Sequence, residues 1–131
     1  MAATWKDCVE AIEAGYEYML AYAAQGLEAG QSGAHEAEVR KYLQAMSDAL
    51  LRVAALGREL AQAQDGADTS HYASYLNALE HDANHALGAV QLVATRKGIS
   101  SQLIDNLNAS SHLRALLTDL FLLDEAMHRG G

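Results

Sequence analysis

The chain has 131 residues, a formal net charge of −8 at pH 7 and a pI of about 5.0. Such an acidic chain, without clusters of basic residues, argues against nucleic acid or an anionic membrane surface as the main partner. Its length suits one helical domain over residues 1–131. The single cysteine, Cys8, excludes an intrachain disulfide, and the N-terminal residues lack the pattern of a signal peptide. We therefore expect a cytoplasmic protein.

The chain contains no proline, and proline disrupts the interior of helices. Apolar residues recur at helical spacing between short glycine-containing breaks, which predicts an all-α fold. Thr4 is predicted to cap a first helix over about residues 5–25, with Asp7 completing a capping box and Gly26 ending the helix. The predicted buried face of this helix consists of Trp5, Cys8, Val9, Ile12, Tyr16, Met19, Leu20 and Ala23.

A second helix is predicted over about residues 34–64, with Ser32 as its cap. The opposite side of this helix carries charged residues, as is usual for a helix at the surface of a bundle. Its predicted buried face consists of Val39, Tyr42, Leu43, Met46, Leu50, Val53, Gly57 and Leu60.

The segment Asp65–Asp68 is predicted to form a turn. A third helix should begin at Thr69 or Ser70 and end near Lys97, where Gly98 stops it. Its predicted buried face consists of Tyr72, Tyr75, Leu76, Leu79, Ala83, Ala86, Leu87, Val90 and Val93.

The last segment cannot be one straight helix, because its two apolar groups would lie about 150° apart around the axis. A break over residues 108–111 removes this conflict. We predict a short helix over about residues 100–108 and a final helix over about 112–128, capped by Ser110 or Ser111. The whole pattern is typical of an antiparallel up-down four-helix bundle with a short extra helix before the last helix.

His81 and His85 are four residues apart, so both imidazoles lie on one helix face, as a divalent metal site requires. However, they lie about 180° and 220° from the centre of the buried stripe, and therefore face away from the core. Solvated surface, a subunit interface and a metal site all remain open. The same face carries small residues and one large apolar residue, and predicts a homodimer interface made of Ser74, Ala78, His81, His85, Gly88, Ala89 and Leu92.

A ferritin-like centre that binds a divalent metal would need carboxylates and Glu-x-x-His elements that project into the bundle. Glu125 and His128 match that element once, near the end of the chain. Glu10, Glu13 and Glu17 form a row on the first helix that could supply further ligands. A solvated helix flank is the simpler interpretation of this row.

Six tyrosines outnumber the other aromatic residues. Several of them lie on predicted core stripes, and a buried tyrosine needs a partner for its hydroxyl group. Gly57 lies on a stripe too, where it either allows close helix packing or leaves space for a ligand. The resulting hypothesis is a small-molecule pocket lined by Tyr16, Tyr42, Gly57, Tyr72 and Tyr75.

No catalytic motif stands out from these patterns. The leading hypothesis is a non-catalytic cytoplasmic bundle without a cofactor, acting through protein–protein contacts as a homodimer or as an accessory subunit. The alternatives are a ferritin-like metal-binding bundle and a bundle that binds a small molecule between its tyrosines.

Overall fold

A computed structural model of the chain describes residues 4–29, 33–63 and 69–129. Across these residues the chain forms five helices and no strand, so the predicted all-α class is confirmed. Within the same ranges, no helix is long and apolar enough to cross a membrane. Ser32 and the predicted turn at residues 65–68 lie outside them. The helices are α1 (Trp5–Ala24), α2 (Gly33–Gln62), α3 (Thr69–Ala94), α4 (Ser101–Ser111) and α5 (Leu113–Arg129).

The start of α1 matches its prediction. The Thr4 hydroxyl accepts a hydrogen bond from the Asp7 backbone, and the Asp7 carboxylate accepts one from the Thr4 backbone, both at 3.1 Å. These hydrogen bonds hold the pKa of the Asp7 carboxyl below its ordinary value. The helix ends at Ala24, and Gly26 follows in the left-handed region at φ +67°, which glycine adopts without strain.

The predicted end of α3 is wrong, because the helix stops at Ala94 and not near Lys97. The guanidinium of Arg40 on α2 binds the segment that follows this end. It donates hydrogen bonds to the backbone carbonyls of Ala94, Arg96 and Lys97. Carbonyls at the C-terminal end of a helix lack donors within the helix, and here a side chain 54 to 57 residues earlier in the chain supplies them.

Arg40→Ala is expected to lower the free energy of unfolding by about 1–2 kcal/mol, because three carbonyls lose a charged donor. Lys41→Ala is the matched control, since it removes the same charge from an exposed neighbouring position. Urea denaturation of both variants measures the difference. Equal stability of the two variants would mean that Arg40 does not hold the end of α3.

The predicted break in the last segment is confirmed, but its position is wrong. The helix continues through residues 108–111 and turns at His112, which has left-handed backbone angles of φ 57° and ψ 31°. Ser110 and Ser111 therefore belong to α4 and do not cap α5. The turn reorients the chain, so that Ile104 before it and Leu113 after it are both fully buried.

The buried apolar side chains form one cluster to which all five helices contribute. Most predicted stripe residues belong to it or pack against it, which confirms the helical periodicity. Leu20 is an error in the predicted stripe, because 47% of its surface is exposed. It lies about 80° around the axis from Ile12, at the edge of the buried face of α1.

α2 packs extensively on both α1 and α3. Tyr18 of α1 stacks on Tyr42 of α2, with ring centroids 4.2 Å apart. Arg58 of α2 forms an ion pair of 2.8 Å with Glu80 of α3. In contrast, α5 makes sparse contacts with α1 and α3, and leaves the boundary between α3 and α5 comparatively open.

Candidate functional site

The outer face of α3 is solvent-exposed along most of its length. Leu92 is 68% exposed, more than any other large apolar residue described. At Gly88 an added Cβ would have no neighbour within 4 Å, so this part of the helix surface is open. Ala89 is half-buried, and the remaining predicted interface residues Ser74, Ala78, His81 and His85 are exposed.

The two histidines differ in their surroundings. The His81 side chain is 86% exposed and lies 3.8 Å from the carboxylate of the adjacent Asp82. The His85 ring contacts the end of α4, with Nε2 2.9 Å from the Ser110 carbonyl. Its centroid lies 5.6 Å from that of His112. The sequence pattern does not reveal His112 as a neighbour of His85, because only the position of the α4–α5 turn brings it to α3.

A cavity of about 330 Å³ lies between α3 and the α4–α5 turn. Ser111 contributes to its lining, and the Ser111 hydroxyl is buried without a hydrogen-bond partner. Buried polar groups in this condition are uncommon in folded proteins. Among the described residues, the cavity is lined by His81, Asp82, His85, Ser111, His112, Ala115 and Leu116.

Among residues 4–29, 33–63 and 69–129, no group of three or more histidine, cysteine, aspartate or glutamate side chains is arranged to hold a metal ion. Glu10 and Glu17 are exposed and Glu13 is half-buried, on the surface of α1 and not in the core. The side chain of His128 lies outside the described residues. The hypothesis of a metal site at His81 and His85 therefore gains no support from the geometry.

The five residues of the predicted tyrosine pocket do not form one site. Tyr42 stacks on Tyr18, and Tyr16 packs half-buried against the core. Gly57 leaves no space for a ligand, because an added Cβ would lie 2.9 Å from Leu76 and 3.1 Å from the Trp5 ring. The glycine therefore permits close helix packing, which was the simpler interpretation of its position.

Tyr72 and Tyr75 do line a cavity together. It has a volume of about 490 Å³ and lies between α3 and α5, where these helices contact each other sparsely. Burial is the main cause that raises the pKa of Tyr75 to about 12, and hydrogen bonding to Asp119 adds to the shift. The cavity is lined by His71, Tyr72, Tyr75, Leu122, Leu123 and Ala126.

The α5 side of this cavity is not among the residues predicted from the sequence. Leu122 gave the only signal, since it is a large apolar residue outside the stripe of the last helix. In the structure it is 59% exposed.

The prediction that Cys8 is buried is confirmed, and burial raises the pKa of its thiol.

Comparison of the chain with protein-family models, with curated proteins and with solved structures gives no match. The fold and the described surface define an all-helical protein with an exposed, histidine-bearing helix face and an apolar cavity beside it. Its function is therefore inferred from the geometry of this chain alone.

Proposed function

We propose that the protein is a non-catalytic helical bundle that forms a homodimer through the outer face of α3. The observation that carries this proposal is the exposure of Leu92, which leaves 68% of a large apolar side chain in water. Burying such a side chain contributes about 1.5–3 kcal/mol. In a two-fold dimer the same patch meets itself, so two leucines would be buried in one contact.

In the bundle topology that we propose, the outer face of α3 is not covered by the core helices. We infer an up-down topology in which α4 and α5 together occupy the fourth position. Two contacts across the helices favour this arrangement. Trp5 at the start of α1 donates a hydrogen bond of 3.0 Å to Asp124 near the end of α5. His85 of α3 contacts Ser110 at the end of α4. α3 would then have helices on its flanks, and the α4–α5 turn would reach only the edge of its outer face, at His85.

Small residues on this face favour a close helix–helix contact. Ser74, Ala78 and Gly88 lack bulky side chains, so two copies of α3 could approach to the usual interaxial distance of about 8–10 Å. His81 and His85 would then lie at or beside the contact.

A catalytic role has less support. General acid–base catalysis by a carboxylate usually requires burial beside a cleft, which shifts the pKa of the group. Glu10 and Glu17 are exposed on the surface of α1, where water solvates their carboxylates.

Leu92→Glu is the direct test of this proposal, measured by sedimentation equilibrium. We expect the unmodified protein to be dimeric and the variant to dissociate with a Kd at least tenfold higher, because two carboxylates would replace the apolar contact. Leu20→Glu is the matched control, since Leu20 is also exposed but lies on α1, which hardly contacts α3. This control should remain dimeric.

Replacing His81 and His85 by lysine should also weaken the dimer, because charges would then meet across the contact. A dimer that survives both Leu92→Glu and the double lysine variant would show that another surface forms the interface. A protein that stays monomeric at all concentrations would contradict the homodimer and favour an accessory subunit that binds a different partner.

A further inference from the structure

The cavity between α3 and α5 has two walls and a buried floor. Tyr72 and Tyr75 are three residues apart on α3, and Leu122 and Ala126 are four residues apart on α5, so each pair lies on one face of its helix. Leu123 also lines the cavity, but it is only 3% exposed and belongs to the core cluster. The cavity therefore extends from the surface of the bundle to its core.

The floor of this cavity is closely packed and does not fill the space above it. At Gly57 of α2 an added Cβ would lie 3.7 Å from Leu123, and still closer to Leu76 and the Trp5 ring. Leu123 is thus engaged with the core, whereas α3 and α5 contact each other sparsely. On the α5 wall, Leu122 leaves 59% of its surface in water. The structure therefore presents concave apolar surface that no described side chain covers.

The size and composition of the lining indicate the class of ligand. A volume of about 490 Å³ falls in the range of about 300–1,000 Å³ that is typical of small-molecule sites. No aspartate, glutamate, lysine or arginine is among the described residues that line the cavity. A charged ligand would lose hydration without gaining an opposite charge from this lining, whereas an apolar ligand gains from burial. The lining therefore favours an uncharged ligand.

We propose that this cavity binds a small uncharged molecule with an apolar ring system. The ring system packs on Leu123 at the floor and lies between Leu122 on one wall and the two tyrosines on the other. Binding covers the exposed surface of Leu122. The site uses the flank of α3 that faces α5, so it does not depend on the proposed dimer.

Three naphthalene compounds test the proposal, because they share one ring system and differ in charge. At pH 7.5, 1-naphthalenemethanol is neutral, 1-naphthoate is negative and 1-naphthylmethylammonium is positive. Isothermal titration calorimetry should give one bound alcohol per chain and affinities for both ions at least tenfold lower. No binding of the alcohol, or an ion that binds as tightly as the alcohol, would overturn the proposal.

Two neighbouring substitutions locate the binding. Leu122→Glu puts a carboxylate into the apolar wall and should reduce the affinity for the alcohol at least tenfold. Phe121→Glu is the matched control, because Phe121 is also exposed on α5 but does not line the cavity. It makes the same change in charge and should leave the affinity within twofold. Equal affinities of the two variants would overturn the proposal.

A second pair of variants fills the cavity without changing the charge. Ala126→Phe should reduce the affinity for the alcohol at least tenfold, whereas Ala21→Phe at an exposed position of α1 should leave it unchanged. Full binding to Ala126→Phe would contradict the assigned site. The Leu92→Glu variant should bind the alcohol as tightly as the unmodified protein, so that failure of the dimer proposal and failure of this one are distinguishable.

Discussion

Ser101→Ala should destabilise the protein by about 2–3 kcal/mol, although the change removes a single oxygen atom. The Ser101 hydroxyl donates a hydrogen bond of 2.6 Å to the carbonyl of Tyr22 and accepts one of 2.8 Å from the backbone of Leu27. It thereby joins the end of α1 and the following loop to the start of α4. Without the hydroxyl, both backbone groups lose this partner at a site where Ser101 is only 3% exposed.

Ser111→Ala is the matched control for this prediction. Ser111 is also buried, at 1% exposure, but its hydroxyl has no hydrogen-bond partner. Removing an unpaired buried hydroxyl relieves a desolvation cost, so we expect a change between zero and a gain of about 1 kcal/mol. Urea denaturation of the two variants measures the contrast. If both variants lost the same free energy of unfolding, the hydrogen bonds of Ser101 would contribute no more to stability than the unpaired hydroxyl of Ser111.

Gly57→Ala and Gly88→Ala should change stability in opposite directions. At Gly57 the new methyl group would press on Leu76 at 2.9 Å and on the Trp5 ring at 3.1 Å. Overpacking of this kind costs about 1–3 kcal/mol, which outweighs the gain of about 1 kcal/mol in helix propensity when these neighbours cannot move. Trp5 is held by its hydrogen bond to Asp124, so the ring has little freedom to yield.

Gly88 lies in the interior of α3 with open space around it. There the propensity gain acts alone, and Gly88→Ala should stabilise the protein by about 0.5–1 kcal/mol. Thermal unfolding at low protein concentration separates this effect from any change in association. A stabilising Gly57→Ala would mean that α2 does not pack closely at this position.

The helices themselves could be predicted because local residues determine them. The capping box of α1 and the apolar periodicity of α2 depend on side chains within a few positions of each other. The contacts at the end of α3 could not be predicted, since Arg40 binds the carbonyls of Ala94, Arg96 and Lys97 from another helix. The position of the turn at His112 was also predicted wrongly. A non-glycine residue in the left-handed region is uncommon, and no glycine near residue 112 marks the turn.

The exposure of the α3 face was predictable from periodicity, because a helical wheel gives the direction of each residue relative to the core. The partners of the tyrosines were not. Tyr42 stacks on Tyr18, whereas Tyr75 lines the cavity between α3 and α5, and only the arrangement of neighbouring helices decides such surroundings. Periodicity therefore identified half-buried tyrosines but grouped residues that belong to different parts of the structure.

Native mass spectrometry of the untagged protein, with elemental analysis of the same sample, tests the central claim most directly. A homodimer of 14.0 kDa chains without stoichiometric metal is the predicted result. Dissociation of this dimer by Leu92→Glu would then assign the interface to α3. A monomer at every concentration would contradict the account. One or two metal ions per chain would instead favour a metal site at His81 and His85 or at the row Glu10, Glu13 and Glu17.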